Sequence, residues 1–141
     1  MYDAIVIGAG PAGLQAARQL ATRGFRVAVL EEHQVLGDPV HCTGVLAREA
    51  FDEFSLSTES ILNELTTARF ISPSGQDIVY RTRVVEAVVV DRALFDRRLA
   101  DEAVRAGAEL IRGARVHRVA PTSDGVTIHV ADQPPLQARS N

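Results

Sequence analysis

The chain has 141 residues, of which 46% are apolar, so it is long enough for one globular domain with a hydrophobic core. Its net charge of −3 and the scatter of its arginines among acidic residues leave no basic stripe, so we expect no nucleic-acid partner. The single cysteine, Cys42, excludes an internal disulfide and favours a reducing, cytoplasmic location.

The N-terminal residues predict a strand, a tight turn, a helix and a second strand. The apolar run at residues 4–7 is typical of a strand that is buried on both faces of a parallel sheet. Apolar residues at helical spacing follow from Leu14, and Gly24 is predicted to end the helix. Residues 26–31 form the second predicted strand, which completes a βαβ start of the usual size.

Beyond this unit the periodicity changes several times. We expect a loop over residues 32–40, helices over 43–54 and 57–65, and strands over 68–72, 77–80 and 84–90. Asp91 is predicted to cap a helix over 92–106, which Gly107 ends. Strands are then predicted over 109–112, 115–119 and 126–130, and residues 132–141 lack periodicity.

Three glycines make the pattern G-x-G-x-x-G between the first strand and the first helix, which is the context that makes this motif specific. Gly8 allows a sharp turn, Gly10 leaves room for a pyrophosphate beside the backbone, and Gly13 lets the helix pack against the sheet. The helix N-terminus favours phosphate through its free N–H groups and its dipole. The alternative is that the glycines only make a tight strand-to-helix turn.

Glu31 ends the second predicted strand, where a dinucleotide site requires an acid. A carboxylate there accepts hydrogen bonds from both ribose hydroxyls of an adenosine and repels a 2′-phosphate, which disfavours NADP. The adjacent Glu32 is expected to point the other way along the strand. FAD and NAD both carry ADP, so these features do not separate the two cofactors.

Three segments resemble known flavoproteins. The loop from Gly8 to Gly13 is similar to the FAD site of glutathione-reductase-type enzymes. Two segments resemble the geranylgeranyl reductase family, which includes archaeal digeranylgeranylglycerophospholipid reductases and menaquinone side-chain reductases: Pro39-Val40-His41-Cys42-Thr43-Gly44 and Asp91-Arg92-Ala93-Leu94-Phe95-Asp96. The resemblance to this family extends over residues 2–130 and implies an α/β fold. The implied fold is an incomplete Rossmann-like FAD/NAD(P)-binding domain over residues 1–131, with a parallel sheet and a β-meander. Residues 132–141 are then expected to form an irregular tail.

The resemblance also implies which residues contact the cofactor. Ala12 and Glu31 match contacts to the pyrophosphate and the ribose, Arg92 matches an arginine at the cofactor, and Val116 matches a strand residue whose backbone meets the adenine. Cys42, Thr43 and Gly44 match a loop near the flavin, where Cys42 would tune or gate the flavin site. The implied cofactor-binding residues are therefore Gly8, Gly10, Ala12, Gly13, Glu31, Cys42, Thr43, Gly44, Arg92 and Val116.

Several of these residues also have an interpretation that involves no cofactor. A lone cysteine such as Cys42 is often a small buried hydrophobe, and Arg92 could be a solvated helix residue. His41 has no partner at metal-ligand spacing, so we predict no metal and interpret it as loop surface or flavin-site lining. His33, His117 and His129 are interpreted as ordinary strand or loop residues.

The resemblance implies an FAD-dependent oxidoreductase that reduces C=C bonds of prenyl chains, with an isoprenoid lipid substrate and an external electron donor. The family's later Asp-Gly and Gly-Asp segments are missing, so we interpret the chain as an N-terminal fragment that carries the ADP-binding half of the site and is inactive alone. The other half could be encoded by a neighbouring reading frame. A lipid substrate implies peripheral contact with a membrane, since no apolar run is long enough to cross one.

Two other functions remain open from the sequence. One is an FAD-dependent aromatic monooxygenase or halogenase, which shares the glycine loop and the acid. The other is a non-catalytic nucleotide-binding module that acts only as a partner subunit.

Overall fold

The computed structural model describes residues 1–40 and 42–139. These residues cluster into two compact units, the first within Met1–Asp38 and Asp96–Asn141 and the second within Pro39–Phe95. The elements in chain order are β1 (Ala4–Ile7), α1 (Pro11–Thr22), β2 (Val27–Glu31), β3 (Val45–Ala47), α2 (Glu49–Glu53), a single 3-10 turn (Thr58–Ser60), β4 (Ile61–Leu65), β5 (Thr67–Ile71), β6 (Asp77–Arg81), β7 (Ala87–Val90), α3 (Arg92–Arg105), β8 (Glu109–Arg112), β9 (Val116–Thr122), β10 (Gly125–Val130) and β11 (Leu136–Arg139).

A parallel sheet in the order β1-β2-β8 forms the centre of the first unit. Ala4 pairs with Val27, and Ala28 pairs with Glu109. The residues of β2 from Val27 to Leu30 are each at most 1% exposed, as expected for a central strand that is covered on both faces. The predicted β-α-β start is therefore confirmed, and the carboxyl ends of β1 and β2 meet at one edge of the sheet.

An antiparallel meander in the order β11-β10-β9 completes the first unit. Ile128 and Val130 of β10 share a buried cluster with Leu30 and Ala114, so the meander and the parallel sheet contribute to one core. The predicted Rossmann-like α/β fold with a β-meander is confirmed.

The predicted irregular tail is wrong for residues 136–139. Leu136 pairs with Ile128 across the β10–β11 ladder, and the Tyr2 N–H donates to Gln137 O at 3.0 Å. The irregular structure was predicted because residues 134 and 135 are both proline, which cannot donate a hydrogen bond to a sheet ladder. Ser140 and Asn141 lie outside the described residues.

The second unit contains an antiparallel sheet in the order β3-β7-β4 and a separate hairpin of β5 and β6. Phe51 of α2 is 2% exposed, and its ring centroid lies 6.1 Å from that of Phe95. The strands predicted around residues 68–90 are confirmed. No helix among residues 1–40 and 42–139 is long and apolar enough to cross a membrane.

The helices predicted over residues 43–54 and 57–65 are largely wrong. Val45 pairs with Val89, and Leu65 pairs with Ala87, so β3 and β4 flank β7. Only α2 and the 3-10 turn at Thr58–Ser60 remain helical in these segments. The apolar periodicity of a short segment carries no information about a strand with which the segment pairs later in the chain. Here that pairing overrides the local helical preference.

Candidate functional site

The glycine loop leaves β1 at the carboxyl edge of the parallel sheet. Gly8 has a φ of +98°, in the left-handed region that favours glycine, so the chain turns sharply there. The Gly8 N–H donates to Leu30 O at 2.7 Å, which ties the turn to β2. This turn places the start of α1 beside the end of β2.

Gly13 is required by the contact between α1 and β1. A Cβ atom at this position would overlap Gly8 O and would lie 3.2 Å from Val6 Cγ1. The backbone oxygen cannot move without displacing the turn, so the packing of helix on strand demands glycine here.

Among residues 1–40 and 42–139, no contact requires glycine at position 10. Gly10 caps α1 with φ −74° and ψ 172°, a conformation that any residue adopts, and a Cβ there would meet no atom within 4 Å. Pro11 follows at the start of the helix, and Ala12 is exposed in its first turn. The missing side chain leaves the helix N-terminus accessible to an anion, where its N–H groups and dipole favour phosphate.

The Glu31 carboxylate lies at the end of β2, and its side chain is 12% exposed. Its Oε2 accepts a hydrogen bond from the Ala9 N–H at 2.8 Å, which links the carboxylate to the glycine loop. Its Oε1 accepts from the His33 N–H at 2.9 Å and lies 2.7 Å from His33 Nδ1. Two backbone N–H groups, one on each oxygen, therefore fix the carboxylate.

Opposing effects act on the charge of Glu31. Burial raises the pKa of its carboxyl group, whereas the N–H groups of His33 and Ala9 and the His33 imidazole lower it. Together the hydrogen bonds and the imidazole outweigh burial, so the pKa lies below its ordinary value. At neutral pH the group is ionised, which makes it an acceptor for hydroxyl groups.

A cleft of about 290 Å³ opens beside Glu31 at the same sheet edge. It brings together three residues of the predicted site, since Gly8, Glu31 and Val116 all line it. Glu32 also lines it, contrary to the expectation from strand alternation, because β2 ends at Glu31. Arg115 lines the cleft too and lies 3.5 Å from Glu32, as measured from Nε to Oε2.

Four other predicted residues belong to the second unit. Gly44 has a φ of +74°, and a Cβ there would lie 2.5 Å from Val90 O and 3.5 Å from Arg92 Cγ, so the end of β7 accounts for this glycine. The Gly44 N–H donates to Cys42 Sγ at 3.4 Å, and Thr43 is exposed. Cys42 is also exposed, so the alternative that it is a small buried hydrophobe is wrong. His41 lies outside the described residues.

Sequence reasoning missed His33 and Arg115. His33 was interpreted as an ordinary loop residue, whereas the structure places its ring against Glu31. The spacing of two residues from an acid at a strand end was the only available signal for His33. For Arg115 the signal was its position next to Val116.

Comparisons with known proteins agree with this geometry. The sequence model of the FAD dependent oxidoreductase family matches residues 3–86. Digeranylgeranylglycerophospholipid reductase 1 of Methanococcoides burtonii is 35% identical over 119 residues, which are 82% of this chain and 29% of that protein. The chain therefore spans less than a third of the length of this relative.

Solved structures with the same fold include a geranylgeranyl bacteriochlorophyll reductase-like protein from Thermoplasma acidophilum. It matches with a TM-score of 0.84 at 28% identity, covering 99% of this chain and 37% of that one. A halogenase crystallised with phloroglucinol and FAD matches with a TM-score of 0.74 at 20% identity, covering 98% and 33% of the two chains. The second likeness shows the fold alone.

Proposed function

Because the chain belongs to the FAD dependent oxidoreductase family, with FAD as its cofactor, we propose that its first unit holds the ADP half of FAD. The observation that carries this proposal is the open space at Gly10, at the N-terminus of α1 and at the same sheet edge as Glu31. A glycine that the protein's own packing does not need is explained by a ligand that approaches its backbone.

Each part of the ADP group has a matching surface. The diphosphate lies at Gly10 and at the first-turn N–H groups of Ala12 and Gly13. The ionised Glu31 carboxylate accepts the ribose hydroxyls, and the cleft beside Val116 takes the adenine. Negative charge on Glu31 repels a 2′-phosphate, so this site selects against NADP.

We also assign the predicted residues of the second unit to the cofactor, with Arg92 at the diphosphate and the loop from Cys42 to Gly44 at the flavin end. Arg92 provides a fixed positive charge for the diphosphate at the first turn of α3. Cys42 and Thr43 are exposed in a loop that the Gly44–Val90 contact holds in place, and Cys42 tunes the flavin site. The family resemblance and the exposure of these side chains support this assignment.

For the complete enzyme we propose reduction of C=C bonds in prenyl chains. Reduced FAD would supply the hydride, with electrons from an external donor, and a proton donor would complete the saturation, while the protein binds and orients cofactor and substrate. The names of the 35% identical relative and the 28% identical structural neighbour support this reaction over halogenation. The same proposal includes an isoprenoid lipid substrate and a cytoplasmic location with peripheral membrane contact. It also includes a C-terminal half that is supplied by further polypeptide.

A calorimetric titration of the purified chain with FAD tests the ADP site. We expect weak, saturable binding that Glu31→Gln reduces about tenfold or more, because hydrogen bonds to a charged acceptor contribute about 1.5–3 kcal/mol. Glu53→Gln removes the same charge from an exposed residue of α2 and should leave the affinity unchanged. Equal affinities for the wild type and Glu31→Gln would contradict the assignment.

A further inference from the structure

The carboxylate that we assign to the ribose already has several donors in the free protein. Oε1 of Glu31 receives both the His33 N–H, at 2.9 Å, and the His33 ring, whose Nδ1 lies 2.7 Å away. Oε2 receives the Ala9 N–H at 2.8 Å. An ionised carboxylate only accepts hydrogen bonds, so Nδ1 of His33 carries the proton in this contact.

Counting acceptor sites shows a conflict with the ribose. A carboxylate offers about four lone-pair sites, two on each oxygen. The contacts to Ala9 and His33 leave one free site on Oε2 and none on Oε1. A ribose diol that donates one hydroxyl to each oxygen therefore needs the site that the imidazole occupies.

The imidazole is not needed to orient the carboxylate. The backbone N–H groups of Ala9 and His33 hold one oxygen each, and both remain when the ring is removed. The His33 side chain is 51% exposed, so the ring has open solvent to turn into. A contact that orients nothing and can leave freely is suited to exchange with a ligand.

We propose that the His33 imidazole is a displaceable competitor for the adenosine ribose: it caps Oε1 of Glu31 in the free protein and turns out to solvent when the diol binds. This inference rests on the proposed function, since it takes Glu31 as the ribose acceptor. It adds to the site a specificity-determining residue outside the glycine motif.

Protonation of the ring strengthens the competition. An imidazolium forms an ion pair with Glu31 that the ribose must break, whereas a neutral ring forms only a hydrogen bond. In the part of the chain that the structure describes, the neighbouring charged groups are Arg112, aligned with Glu31 across β2 and β8, and the mutually paired Glu32 and Arg115. Affinity for the nucleotide is therefore expected to fall when the ring is protonated.

Titration with FAD at about pH 8 and about pH 5.5 tests the proposal, because FAD itself has no group that changes charge in this interval. Exposed ion pairs are weak, so we expect the affinity of the wild type to fall about two- to fivefold at the lower pH. His33→Ala should bind FAD more tightly than the wild type and lose this pH dependence. His117→Ala removes an exposed histidine of β9 and should keep it.

Three results separate the possible failures. If His33→Ala binds FAD more weakly at both pH values, the ring positions the carboxylate and the competition is wrong. If His33→Ala keeps the pH dependence of the wild type, another group causes that dependence and the proposal is also wrong. If Glu31→Gln binds as tightly as the wild type, the proposed function fails and the inference fails with it.

Discussion

Gly10 and Gly13 belong to the same motif, but glycine occurs at the two positions for different physical reasons. The packing of α1 on β1 excludes a side chain at Gly13, because a Cβ would overlap Gly8 O. Around Gly10 the protein leaves open space, and its backbone conformation suits any residue. The fold therefore requires Gly13, and we propose that Gly10 serves binding.

This difference predicts opposite effects of substitution. Gly10→Thr should change the free energy of unfolding by less than about 0.5 kcal/mol, because threonine caps a helix about as well as glycine. The branched side chain should nevertheless reduce the affinity for FAD about tenfold or more, since it fills the path of the diphosphate. Urea unfolding and calorimetric titration of the same protein measure the two effects.

Gly13→Ala provides the comparison. It should lower the free energy of unfolding by about 1–3 kcal/mol, because the backbone must shift to admit the methyl group. Unchanged FAD binding in Gly10→Thr, or unchanged stability in Gly13→Ala, would show that the two roles are wrongly assigned.

At the scale of elements, the start of α3 is fixed by a cap that the sequence predicts. Asp91 Oδ1 accepts a hydrogen bond from the Leu94 N–H at 3.0 Å, which satisfies one of the free donors of the first turn. The helix buries apolar residues at intervals of four, since Phe95, Leu99 and Ala103 are each at most 4% exposed.

Removal of this cap should destabilise the chain measurably. We expect Asp91→Ala to lower the free energy of unfolding by about 1 kcal/mol, and Asp91→Asn to retain most of it, because the amide oxygen also accepts from the Leu94 N–H. Urea unfolding of the three proteins provides the comparison. Equal stability of wild type and Asp91→Ala would mean that the cap contributes nothing to the folded state.

The elements also show why local patterns predict some parts of the fold and not others. β1, α1 and β2 follow one another along the chain, and their order, turn and glycines were all predictable from neighbouring residues. The strand character of β3 and β4 depends on β7, and that of β11 depends on β10, so it comes from pairing with other segments. The contact of His33 with Glu31 depends on the path of a loop, for which no periodic signal exists.

At the scale of the whole molecule, the predicted site residues fall into two groups. Cys42 to Gly44 and Arg92 lie in the second unit, and the other six lie in the first: Gly8, Gly10, Ala12, Gly13, Glu31 and Val116. The motif and the family resemblance together predict both groups, and Gly8, Glu31 and Val116 of the first group line one cleft. Apart from Arg92, the residues that we assign to the ADP group lie in one unit that has its own core, so this chain suffices to test the proposed site.

The second unit contains a different surface. Phe70 pairs with Ile78 across the β5–β6 hairpin, and these side chains are 63% and 72% exposed. Arg69 and Asp77 form an ion pair at 2.6 Å between Nε and Oδ2 on the same hairpin. The hairpin contains none of the residues that we assign to the ADP group, so its amides are the comparison for ligand binding.

The most direct test of the central claim is an NMR titration of the ¹⁵N-labelled chain with ADP, in which the amide chemical shifts are measured. The claim that the first unit binds the ADP half of FAD predicts saturable shifts at Ala9, Ala12, Gly13, His33 and Val116, and unchanged amides in β5 and β6. Absence of saturable shifts in the glycine loop and at the end of β2, or shifts confined to the second unit, would contradict the claim.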